Sequence, residues 1–185
     1  MERVASRLEG PVLIQPPVFG DSRGFFAETY RASRLAEELG ITDDFVQDNH
    51  SRSTRGVVRG MHFQLDPPAA KLVRCARGAI LDVVVDVRPG SPTFGAWEGH
   101  ELTDENMRML YVPVGFAHGF AVLSDVADVI YKQSAYWAPG VDHGFALDDP
   151  EVGIEWPIAP EERVISDRDR DAPRLAELAP RLRAG

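Results

Sequence analysis

Ala79-Ile80-Leu81-Asp82-Val83-Val84-Val85-Asp86-Val87 is the stretch whose patterning decides the fold class. Its length and β-branched content suit a strand, and Arg88-Pro89-Gly90-Ser91-Pro92 ends it with a strong turn signal. Alternation fails at Val83-Val84-Val85, which predicts a central strand covered on both faces. On either side lie similar short runs, Val12-Leu13-Ile14 and Met109-Leu110-Tyr111-Val112, separated by Gly, Pro and Asp. That punctuation predicts an all-β sandwich or barrel. Helical patterning is confined to Ala32–Leu39, ended by Gly40, to the short Asp104–Met107 and to Ala172–Leu182. Helices decorate such a fold and do not build it.

At 185 residues the chain suits one domain over Met1–Gly185, with a core large enough to need no disulfide or metal staple. No repeat or interior linker interrupts it, and only Arg181–Gly185 reads as loosely attached. Lys plus Arg number 20 against 29 Asp plus Glu, a net charge of -9, so no global basic field is available for nucleic acid. An anionic ligand needs a local cluster of arginines and lysines. Cys75 is the one cysteine and lies in an apolar context, where it reads as a buried, inert thiol. The first ten residues lack an apolar signal-peptide core and no run approaches a membrane span, so a soluble cytoplasmic protein is expected.

The densest polar block runs from Gln47 to Gln64 and holds Arg52, Arg55, Arg59, His50 and His62 among amides and hydroxyls. If Val57–Gln64 is a strand, strict alternation sets Arg59 with Met61 on one face and His62 with Val58, Gly60 and Gln64 on the other, the barrel interior. A lone inward histidine reads first as a satisfied core residue. The polar density around His62 argues for chemistry.

A second segment, Pro113-Val114-Gly115-Phe116-Ala117-His118, combines with Gly56 and His62 to resemble the two signature segments of the cupin superfamily, double-stranded β-helix barrels close to jelly rolls. Metal-binding cupins carry a His-x-His pair followed by a Glu, whereas this chain has His62-Phe63-Gln64. One imidazole and an amide make a poor transition-metal site, so no metal is expected and a metal-dependent oxygenase is disfavoured.

Five ordered segments sharpen the resemblance: Phe19–Glu28, Gln47–Gln64, Lys71–Cys75, Gly115–Phe120 and Ile165–Asp169. Together they are similar to the dTDP-4-dehydrorhamnose 3,5-epimerase family. The resemblance implies an isomerase that takes a dTDP-linked 4-keto-6-deoxyhexose, inverts C3 and C5 beside the C4 ketone, and needs no cofactor. It further implies His62 as base, Tyr131 as acid on the opposite face, Lys71 at the enolate oxygen and Asp169 as partner of His62. For binding it implies Arg23 and Arg59 at the diphosphate, Glu28, Gln47 and Asn49 at the nucleotide, Phe26 and Tyr136 as stacking faces, and His118 toward the sugar. Asp142 stands where the family carries a Glu and Arg168 where it carries a Lys; both keep their charge. A homodimer, with the N-terminal segment reaching into the neighbouring subunit, is implied as well.

Taken without the resemblance, Tyr131 shares a strand face with Val129 as a half-buried core tyrosine, Lys71 reads as a strand-edge lysine, and the 166–169 run reads as solvated surface, with Asp167 the nearest competitor to Asp169. Rival functions are an epimerase that inverts only C3 or only C5, and a cupin that binds a sugar nucleotide without turning it over.

Overall fold

The computed structural model describes residues 1–138 and 140–182. In chain order its strands are β1 (Glu2–Val4), β2 (Val12–Gln15), β3 (Val18–Asp21), β4 (Gly24–Ala27), β5 (Gln47–Thr54), β6 (Val58–Gln64), β7 (Lys71–Arg77), β8 (Ala79–Asp86), β9 (Trp97–Thr103), β10 (Met109–Val112), β11 (Phe116–Val122), β12 (Val126–Gln133) and β13 (Asp142–Gly144). They form a six-stranded sheet, β1-β2-β10-β7-β12-β5, and a five-stranded sheet, β13-β6-β11-β8-β9. The hairpin β3-β4 pairs with neither.

Three apolar layers follow from the alternation of side chains across these sheets. Leu13, Val73, Cys75, Ile80, Val84, Leu102, Leu110, Phe116, Phe120 and Val129 fill the space between the sheets. On the outer face of the five-stranded sheet, Met61, Phe63, Val83, Val85 and Ala117 pack against Phe145, Leu147, Trp156, Leu175 and Leu178. The outer face of the other sheet buries Val12, Ile14, Leu72 and Met109 under Leu35 and Leu39 of helix α1 (Ala32–Leu39). Strand β8 therefore lies between two apolar layers, which is why Val83, Val84 and Val85 are all fully buried. Cys75 is likewise in the interior, and burial pushes its thiol up to about 11, as an inert role requires.

Helix α1 matches the sequence expectation, with Gly40 at φ 73 closing it through its N–H to the Ala36 carbonyl. Asp104–Met107 is a turn and not a helix. Thr103 Oγ1 accepts from the Glu105 and Asn106 amides and Asn106 Oδ1 from the Thr103 and Arg108 amides, so side chains take the bonds a helix needs. The C-terminal helix begins at Leu175 and not Ala172, because Ala172 precedes a proline and the Pro173 carbonyl is occupied by the Ala146 N–H. Leu182 is buried, which ties down that end of the helix; residues 183–185 of the segment expected to be loose lie outside the described residues. Between these, α2 (Asp167–Arg170) starts at Ser166, whose hydroxyl accepts from the Asp169 N–H, and α3 is Leu175–Leu182.

Candidate active site

Apolar packing gives way to polar side chains where β5, β12 and β7 of one sheet face β6, β11 and β13 of the other. His62 faces inward as expected, but Val58 and Arg59 depart from strict alternation. Between His118↔His62 and Phe120↔Arg59 the pairing of β11 with β6 shifts by one residue, so Gly119 alone opposes Gly60 and Met61. This bulge sends Val58, Met61 and Phe63 outward to the second apolar layer and lets Arg59 and His62, three residues apart, both serve the polar pocket. Arg59 reaches across to β5, where Nε and Nη2 donate to Ser53 Oγ at 3.1 Å. Glycine is required at the crossing: Gly60 has φ 127, and a Cβ there would lie 2.7 Å from Gly119 Cα.

His62 Nε2 lies 2.7 Å from Asp169 Oδ1, and the Gly60 N–H donates to Oδ2 at 3.3 Å. Helix α2 thus delivers a buried carboxylate, 5% exposed, to the histidine; the run that read as solvated surface folds onto β6, and Asp169, not the exposed Asp167, faces inward. Burial works to raise the Asp169 pKa, but the bond and charge of His62, the Gly60 amide and the Ser166 hydroxyl outweigh it and hold it below the usual carboxylate range. A depressed folded pKa contributes stability that is present above the unfolded value of 3.8 and lost as pH falls through the folded one. Asp169→Asn is therefore expected to cost about 1–3 kcal/mol at pH 7. The difference from the unsubstituted chain should shrink as the pH is lowered through and below 3.8, measured by denaturant unfolding across that range.

The six-stranded sheet supplies the opposite wall. Its register aligns Gln47, Gln133 and Lys71 in one row and Asn49, Tyr131 and Val73 in the next. Tyr131 packs with the interior apolar layer that includes Val129, on the same face as expected. Lys71 is not an edge lysine, because β7 lies between β10 and β12. Burial pushes the Lys71 ammonium pKa down against the pull of Asp142 and Asp82. For Tyr131, burial first and then the charge of Asp142 push the phenol up, with Arg59 opposing. The amides of this wall form a chain in which Gln47 Nε2 donates to Asn49 Oδ1 at 2.9 Å and Asn49 Nδ2 to Gln133 Oε1 at 3.2 Å.

His118 is cross-strand neighbour to His62 and has a carboxylate of its own, Asp82 Oδ2 at 3.0 Å. Asp82 is fully buried, and its Oδ1 takes no hydrogen bond among the described residues. Sequence reasoning passed over Asp82 and Ser53; a charged residue inside the apolar run 79–87 was the available signal. Asp142, paired across from Gln64, binds Arg168 at 2.9 Å.

Arg23, Phe26 and Glu28 are not brought into this pocket within one chain. Arg23 is paired with Asp21 on the β3-β4 hairpin, whose Phe26 is 68% exposed. Glu28 binds Arg31 and Arg34 beside α1. Tyr136, 69% exposed, stands on the segment that follows β12.

Residues 5–177 match the family described as dTDP-4-dehydrorhamnose 3,5-epimerase. A protein of that name from Pseudomonas aeruginosa is 47% identical over 94% of this chain and 96% of its own length. Among solved structures, the dTDP-6-deoxy-D-glucose-3,5-epimerase of Legionella pneumophila in complex with dTDP-4-keto-L-rhamnose is similar with a TM-score of 0.94 at 44% identity, covering 98% of this chain and 96% of that one. A 3'-monoepimerase from Streptomyces bikiniensis in complex with dTDP-quinovose is similar with a TM-score of 0.87 at 38% identity, covering 96% and 89%. Two antiparallel sheets closed on a polar pocket are thus a cupin-type double-stranded β-helix, and with identity near one half across almost its full length the chain belongs to the dTDP-4-dehydrorhamnose 3,5-epimerase family.

Proposed function

We propose that this protein inverts C3 and C5 of dTDP-4-dehydro-6-deoxy-D-glucose to give dTDP-4-dehydro-L-rhamnose. The observation that carries the reading is the disposition of three groups: His62 on one sheet, Tyr131 on the sheet opposite, and the desolvated Lys71 beside Tyr131 in the same wall. Epimerisation next to a ketone needs a base on one face of the sugar, an acid on the other and a cation at the oxygen.

His62, its Nε2 held by Asp169, removes the proton from C5 or C3 through the other ring nitrogen. The C–H electron pair moves into the ring and the C4 carbonyl becomes an enolate, which the Lys71 ammonium stabilises. Tyr131 then gives its phenolic proton to the same carbon from the opposite face. Its raised pKa keeps that proton in place until the enolate demands it. Water returns a proton to the tyrosinate and takes one from His62, and the second carbon follows the same course.

Arg59 and His118 line this pocket and serve the diphosphate and the sugar; Gln47 and Asn49 serve the nucleotide, with Asp142 and Arg168 closing the rim. Arg23, Phe26 and Glu28 complete the site from a second copy of the chain. The hairpin supports this, since Phe19, Phe25 and Phe26 are 63%, 64% and 68% exposed on an element that no other strand pairs with among the described residues. The working form is accordingly a homodimer, acting in the cytoplasm on a precursor of deoxysugar-bearing cell-surface polysaccharide.

The test is NMR of dTDP-4-dehydro-6-deoxy-D-glucose in D2O with the purified enzyme. Exchange and inversion at both carbons are expected. Inversion at one carbon alone would establish the single-site reading, which the likeness to the Streptomyces bikiniensis 3'-monoepimerase supports. In Tyr131→Phe, proton wash-out is expected to persist while formation of the inverted product falls about 100-fold.

A further inference from the structure

We infer that Gln64 is a positioning residue for the nucleotide end of the site, acting by gripping a single peptide plane. Its amide is buried, 7% exposed, and Nε2 donates to two carbonyls, that of Pro67 at 2.9 Å and that of Tyr136 at 3.2 Å. Both amide hydrogens are thereby used, one on the turn that follows β6 and one on the segment that follows β12. The Tyr136 carbonyl belongs to the same peptide unit as the Trp137 N–H, and that N–H donates to Gln47 Oε1 at 2.9 Å. One plane is thus held from its oxygen by the five-stranded sheet and from its nitrogen by the six-stranded sheet.

A peptide unit is rigid and planar, so fixing its two ends fixes its orientation. The Cα atoms of Tyr136 and Trp137 are the corners of that plane, so the points from which their side chains leave are held with it. Both rings are largely exposed, at 69% and 50%, and lack the packing that holds a core aromatic in place. Two amide side chains supply the order that packing does not. The consequence is a preorganised aromatic face at the pocket rim, suited to the flat base of a nucleoside diphosphate; this step rests on the reading that a nucleotide sugar is the substrate. Gln64 touches neither the sugar nor the reacting carbons in this scheme.

The test combines two readouts on the full-length protein. In the ligand-free protein, hydrogen exchange of the Trp137 amide followed by NMR should show protection that falls about tenfold or more in Gln64→Met, which removes both donors without adding charge. An unprotected Trp137 amide, or protection unchanged in Gln64→Met, would overturn the grip whatever the substrate. For binding, titration calorimetry with dTDP should give a dissociation constant raised about tenfold in Gln64→Met and in Gln64→Glu, with KM rising in step and kcat held within about threefold. In a Tyr136→Ala background, which keeps the peptide plane but lacks the ring, the same Gln64 substitutions should add little. Additive losses would instead mean that Gln64 acts elsewhere, and the inference would fall while the proposed function stood. If the unsubstituted protein binds no dTDP, the proposed function falls and the nucleotide role of Gln64 falls with it.

Discussion

In His62→Ala, exchange of the C3 and C5 protons of dTDP-4-dehydro-6-deoxy-D-glucose should fall about 1,000- to 10,000-fold, the upper range for loss of a well-placed general base. The drop follows from the geometry of the pocket. His62 is the imidazole that the bulge at Gly60 turns inward, and its neighbour His118 is already committed to the buried Asp82. A second consequence separates chemistry from folding. Removing the imidazole leaves Asp169 buried with the Gly60 amide and the Ser166 N-cap contacts alone, so His62→Ala should also lose about 1–3 kcal/mol of stability. His62→Gln offers an amide donor to that carboxylate with no useful basicity. It should regain most of the stability while exchange stays at the His62→Ala level. Recovery of exchange in His62→Gln, or full exchange in His62→Ala, would sink the assignment of the base and bring the binding-module reading forward.

What was legible in the sequence was what depends on neighbours along the chain. Strand β10 and helix α1 fall where their patterns put them, and the covered triplet Val83-Val84-Val85 announced a central strand. Alternation put His62 on the inner face, where it is found, but gave Val58 and Arg59 the wrong faces, because a bulge is set by the partner strand: only the approach of Gly119 to Gly60, residues far apart in sequence, forces two residues of β6 to share one partner. The same holds for Lys71. Nothing local to Lys71-Leu72-Val73 says whether β7 is an edge strand, and its place between β10 and β12 is a property of the sheet. Asp169 was legible only through the resemblance, since a short charged helix becomes a buried partner only when it docks on β6. For the two strands, pairing across the sheet supplied the direction in which the functional group points, and for Asp169 the docking of a helix outside the three expected ones did so.

Lys71→Met should separate activity from stability in the opposite sense to His62→Ala. An ammonium that stabilises developing charge on an enolate oxygen is worth about 100- to 1,000-fold in kcat when it acts from a desolvated position, and that loss is expected here. The same desolvation is a cost to the folded state. Burial is the largest influence on Lys71 and lowers its pKa from 10.5 despite the attraction of Asp142 and Asp82. Between the lowered folded pKa and 10.5 the unfolded chain binds more protons than the folded one, so stability rises with pH through that window, and the penalty is fully present below the folded pKa. Replacing the lysine by an apolar side chain of similar length removes the penalty. The variant should melt at the same temperature or about 2–4 °C higher at pH 7, and its advantage should vanish as pH is raised toward 10.5. A functional charge held at the expense of the fold is the expected signature of an active-site lysine. Thermal unfolding beside turnover, both followed from pH 7 to 10, decides the matter: if melting temperature and kcat fall together in Lys71→Met, the lysine is a structural tie between β7 and the acidic groups across the pocket, and another cation must serve the enolate.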